Sequence, residues 1–117
     1  MTAKKLDITL EQGATFVMNI TWQNSDGTPV NLTGYTAKMQ VRYKYSDAAA
    51  LATFTTSDST ITLGGALGTI AVSGMAALPG LTEQKSGVYD LELTETATSK
   101  VTRLLQGAVT LSPEVTK

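Results

Sequence analysis

The sequence contains no cysteine and no histidine. The first absence removes disulfides from the fold and thiolate nucleophiles from its chemistry. The second removes the side chain that most often carries protons near neutral pH. Together they remove the ligands from which zinc and most other transition-metal sites are built. Charge is also scarce. Asp, Glu, Lys and Arg make up 16% of the 117 residues and leave a net charge of −1, with Lys4-Lys5 the one short basic cluster. A nucleic-acid binder needs grouped cations to displace counterions from phosphates, so that class is excluded. No apolar run approaches the about 20 residues that cross a membrane as a helix, and no apolar signal segment follows Lys4-Lys5. The expectation is a protein made and kept in the cytoplasm, or assembled there into something larger. Repeats, low-complexity stretches and linkers are absent too, which predicts one domain over residues 1–117.

What is present favours strands. Hydrophobic residues reach 42%, enough for a core. Thr and Ser take the place of charge, and the branched Cβ of Thr packs well on a pleated surface. Over residues 15–23, Phe16, Met18, Ile20 and Trp22 alternate with Thr15, Val17, Asn19, Thr21 and Gln23. A period of two at this length marks a half-buried strand. Residues 35–45 repeat the pattern, with Tyr35, Ala37, Met39, Val41, Tyr43 and Tyr45 on one face and Thr36, Lys38, Gln40, Arg42 and Lys44 on the other. Further strands are predicted at 6–10, 51–55, 60–63, 67–72, 87–95 and 101–111. In the last, Arg103 shares a face with Val101, Leu105, Val109 and Leu111, and a position near the hairpin end would let its head reach water. Asn24-Ser25-Asp26-Gly27 supplies a tight turn. Ser73 to Leu81 reads as one helical turn between sheets, capped by Ser73 and ended by Pro79-Gly80. About 7–8 antiparallel strands with one short helical turn, and no long helical pattern, predict an all-β sandwich.

The chemical inventory is thin, and no enzyme is predicted. Gly64-Gly65-Ala66-Leu67-Gly68 lacks the lysine and helix of a phosphate loop. Asp90 and Glu92 share a strand face, but nothing in the sequence buries them, so they read as a solvated face rather than a carboxylate pair. Asn24 and Asp26 begin like a calcium loop, yet Thr-Pro-Val follows where further oxygen ligands would stand. No metal or cofactor is predicted. Trp22 and the tyrosines raise the alternative of a sugar-stacking platform, against which stands their core spacing.

Several stretches carry a resemblance. Residues 11–16 (EQGATF), 26–37 (DGTPVNLTGYTA) and 39–42 (MQVR), with 87–93 (GVYDLEL) and 105–116 (LQGAVTLSPEVT), resemble the immunoglobulin-like domain of tailed-phage virion proteins. This is the domain that opens many baseplate upper proteins and tail-fibre proteins. The likeness is weakest over residues 46–80 and consists of turn and strand motifs, which speak for fold more than for task. It implies an immunoglobulin-like sandwich in the virion, made in the host bacterial cytoplasm. It implies docking onto other virion proteins in many copies, with a homo-oligomer within the particle compatible. Multidomain relatives continue into coiled-coil or receptor-binding parts, whereas this sequence stops at Lys117. The expectation is therefore a baseplate, tail-adaptor or capsid-decoration subunit, with a carbohydrate-binding module on the particle surface as the alternative. The residues named for the protein interface are Lys38, Gln40 and Arg42, a row able to complement an acidic strip on a neighbour. Residues 1–6 and 112–117 are named as tails that would extend an adjacent subunit's sheet.

Overall fold

The computed structural model describes residues 4–76, 78 and 81–114. Nine strands run in the order β1 (Lys4–Lys5), β2 (Ile8–Glu11), β3 (Thr15–Thr21), β4 (Tyr35–Arg42), β5 (Ala52–Thr55), β6 (Ile61–Leu63), β7 (Thr69–Met75), β8 (Lys85–Glu95) and β9 (Lys100–Ser112). They form two sheets of a β-sandwich. The larger has the order β1-β9-β8-β4-β5, with β2 also on β9; the smaller is β3-β7-β6. The expectation of purely antiparallel strands is corrected at one place. Both β1 and β2 run parallel to β9, in a common register that sets Lys4 opposite Leu105 and Ile8 opposite Val109. Alternation reveals that a segment is a strand and is silent about the direction of its partner.

The helical turn also moves. Met75 is strand, paired with Thr15, while Ala77, Pro79 and Gly80 lie outside the described residues. The helical piece among the described residues is a single 3-10 turn, Gly65–Leu67, within the glycine cluster.

The core lies between the sheets. Met39, Val41, Tyr89, Leu91 and Leu93 face inward from the larger sheet, and Met18, Ile61, Ile70 and Val72 from the smaller. Phe54 of β5 spans the gap, its ring centroid 6.0 Å from that of Phe16 on β3. Phe16, Ile20 and Trp22, on the apolar face of the first alternating segment, are half-buried where Met18 between them is buried. The reason is position: β3 is an edge of the three-stranded sheet, so its inner face meets the rim of the sandwich. Tyr43 and Tyr45 lie beyond the end of β4 at Arg42 and are exposed.

Arg103 reaches water by a different route from the one predicted. Leu91 pairs with Leu105 but Glu92 pairs with Arg103, which leaves Leu104 as an extra residue in β9. Such a bulge reverses the alternation beyond it. Val101 and Arg103 are thereby turned to the outer face.

The first strand is held at a crossing of three chain segments. The Tyr89 hydroxyl donates a 2.6 Å hydrogen bond to the Leu6 carbonyl. The Ala108 amide donates to the Asp7 carboxylate at 3.0 Å, and the Leu6 amide donates to the Gln106 carbonyl at 2.9 Å. Gly107 makes this approach feasible, since a Cβ there would stand 2.1 Å from the Leu6 oxygen.

Two outcomes follow from the packing. Phe54→Ala should cost about 3–5 kcal/mol in a urea melt, and Phe16→Ala, at the open edge, less than half of that; equal costs would show that the edge is covered. Burial, with the Asp7 carboxylate nearby, pushes the Tyr89 phenol up to about 12. An unfolded tyrosine ionises near pH ~10, so above that pH the unfolded state binds fewer protons than the folded one. Stability fully present below pH ~10 should therefore decline as pH rises towards ~12. Urea melts across this window should show a shallower decline for Tyr89→Phe than for the wild type; identical slopes would exclude the phenol as the responsible group.

Candidate interaction surface

Lys38, Gln40 and Arg42 alternate along β4 with the buried Ala37, Met39 and Val41, so all three stand on the outer face of the larger sheet. The Arg42 Nη2 donates to Gln40 Oε1 at 2.9 Å, and Gln40 Nε2 lies 3.5 Å from Thr53 Oγ1 on β5. The acidic strip that the row was expected to find on a neighbour is present within the same sheet. On β8, Glu92 is opposite Lys38 and Asp90 is opposite Gln40. From the other side, Arg103 Nε lies 3.4 Å from Asp90 Oδ2 and 4.0 Å from Glu92 Oε2. The face is thus a set of stripes, cationic on β9, anionic on β8 and cationic again on β4. Exposed pairs of this kind contribute ~0–1 kcal/mol each to stability; their arrangement matters more for orientation of a partner.

Gln40, Arg42, Tyr45, Val88, Asp90 and Arg103 line a shallow cleft of about 300 Å³ on this face. The Arg42 Nη1 is buried and has no hydrogen-bond partner among the described residues, an arrangement that costs free energy unless something binds to it.

The aromatic platform considered from the sequence does not come together. Trp22 packs edge-on against Tyr35 with centroids 6.0 Å apart, whereas Tyr45 follows the opposite end of β4. Trp22 instead borders an apolar groove of about 390 Å³ with Lys4, Leu6, Ile20 and Leu104. The Asp26 turn is closed on itself: the Thr28 amide and hydroxyl donate to Asp26 Oδ1 at 3.0 and 2.6 Å, and these bonds hold the carboxyl below its ordinary range. Asp58 is treated alike by Thr60. The N-terminal tail is corrected in part. Lys4, Lys5 and Leu6 are paired with this chain's own β9. Residues 1–3 and 115–117 lie outside the described residues.

A further surface went unnoticed in the sequence although its signal was there. Residues 12–25 and 59–82 contain no Asp, Glu, Lys or Arg. These two runs hold the whole of β3, β6 and β7, so the smaller sheet carries no charge on either face. Its outer face presents Thr15, Val17, Asn19 and Thr21 beside Thr69, Ser73 and Met75, with Val17 60% and Met75 63% exposed. Depletion of charge is the compositional mark of the centre of a protein interface. No model of a known protein family matches the chain, and no curated protein does.

Proposed function

We propose that the chain is a structural protein of a tailed-phage virion, an immunoglobulin-like domain that docks onto other virion proteins in many copies and performs no catalysis. The observation that carries the reading is the strand order, taken with the sequence resemblance. If β3 to β9 are taken as strands B, C, C′, D, E, F and G, the smaller sheet is BED and the larger is GFCC′, with the N-terminal strand beside G. This order parallels that of immunoglobulin sandwiches that extend the GFC sheet with C′, which supports the reading. Two further features support an assembly role. One sheet offers a striped, charge-compensated face and the other a charge-free face, a division suited to holding a subunit between unlike neighbours. The clustered carboxylates, Asp90 and Glu92, lie beside Arg103 on an open strand face, which supports orientation rather than acid–base work.

The test is incorporation. Lys38→Glu with Arg42→Glu should leave a folded domain by circular dichroism yet reduce its copy number in purified phage particles at least about tenfold by quantitative mass spectrometry. Particles that carry no wild-type copies would end the virion reading, and unchanged incorporation of the variant would end the role of this face.

One observation favours the alternative of a carbohydrate-binding module. The cleft beside Arg42 is lined by a carboxamide, two guanidinium groups, two carboxylates and the exposed Tyr45. Planar, bidentate polar groups with an aromatic wall suit a neutral saccharide. A glycan array probed with the wild type and with Tyr45→Ala discriminates the two: a sugar class bound by the first and lost in the second would favour adhesion.

A further inference from the structure

The four sheet edges are protected unequally. At the outer edge of the larger sheet, β1 is two lysines and β2 ends in Glu11. At its other edge β5 has four residues, and in the smaller sheet β6 has three. Charge and brevity are the usual defences of an edge against pairing with another chain. The remaining edge, β3, has neither. Its seven residues, Thr-Phe-Val-Met-Asn-Ile-Thr, contain no charge, proline or glycine and pair with β7 without a bulge. Among the described residues no strand covers its other side.

The hydrogen-bonding groups on that side can be assigned. The Trp22 amide donates to the Gly68 carbonyl, towards β7. Alternation then directs the amides and carbonyls of Ile20, Met18 and Phe16 towards β7, and those of Thr15, Val17, Asn19 and Thr21 outward. We propose that β3 is a strand-pairing edge and that its partner is β3 of a second copy of this chain, antiparallel about a two-fold axis at Met18. This register opposes Thr15 to Thr21, Phe16 to Ile20, and Val17 to Asn19. All four outward residues fall in hydrogen-bonded pairs. The inner pairs, Phe16 with Ile20 and Met18 with Met18, extend the apolar layer and cover Phe16 and Ile20, which one copy leaves half-buried. The absence of charge is what allows a surface to meet itself, since a charge at position 17, 18 or 19 would stand opposite or diagonal to its own copy across the axis. The result is a six-stranded sheet, β6-β7-β3-β3-β7-β6, with an uncharged outer face. The inference supplies a first partner for the assembly reading and is tested apart from it, because self-association in pure solution needs no particle.

Sedimentation equilibrium of the purified full chain should show a concentration-dependent dimer, and Val17→Lys should return it to monomer while leaving its circular dichroism unchanged and its melting equal to that of the wild type diluted to monomer. The chain has no native cysteine, so Val17→Cys with Asn19→Cys should form a disulfide-linked dimer under mild oxidation at least about tenfold faster than Thr36→Cys with Lys38→Cys on the other sheet. A wild type that stays monomeric, a Val17→Lys variant that still dimerises, or equal cross-linking of the two cysteine pairs would each overturn the proposal. Pairing of β3 found with a different protein, and not with itself, would overturn the choice of partner.

Discussion

The larger sheet depends on the close approach of Leu6 to Gly107. At that point the first segment of the chain comes against the last strand, and a side chain at position 107 would collide with the Leu6 carbonyl. The oxygen so admitted becomes the acceptor for the Tyr89 hydroxyl, whose ring is otherwise sealed in the core. A buried hydroxyl without a partner would cost about 1–3 kcal/mol, and this contact removes that penalty. Three segments distant in sequence are thereby tied at one place. The parallel pairing of β1 and β2 with β9 follows from it, and with that pairing one edge of the larger sheet is closed by lysines and an acid.

The bulge at Leu104 is the second consequence of how β9 is used. On one side of it β9 serves β2 and β8 together, with Leu105, Val109 and Leu111 in the core. Beyond it, towards the hairpin loop, the outward set changes and Arg103 joins Asp90 and Glu92. One additional residue thus converts an apparent misfit in an apolar row into the third stripe of a charged surface. The striped face owes little of its existence to stability, since exposed pairs contribute weakly. Its regularity is a matter of cross-strand neighbours: Lys38 with Glu92, and Gln40 with Asp90.

The two sheets divide the polar work. All charge lies outside residues 12–25 and 59–82, so the smaller sheet is solvated by hydroxyl and amide groups alone. Hydroxyls of Thr and Ser exchange water for a neighbouring chain at much lower cost than ammonium or carboxylate groups do. The smaller sheet thus has an uncharged face and one edge with neither charge nor brevity, whereas the outer face of the larger sheet sets opposite charges side by side across its strands.

Much of the sandwich was legible in the residues themselves. Alternation at Phe16 to Trp22, at Ala37 to Val41 and at Tyr89 to Leu93 determined which segments are strands and which side faces in, because the strand period is a property of the backbone. The Asp26-Gly27 turn was legible for a similarly local reason: positive φ and a side chain that accepts from Thr28. The row Lys38, Gln40 and Arg42 was also placed on one outer face by alternation alone. The tertiary structure decided what no local pattern encodes. It made β3 an edge, so that Phe16 and Trp22 are half-buried, and it set β1 and β2 parallel to β9. It placed an acidic strip beside Lys38 within the chain's own sheet, and it inserted Leu104 so that Arg103 turned outward. Each of these depends on which strand lies next to which, and the neighbour of a strand is chosen by contacts between residues tens of positions apart.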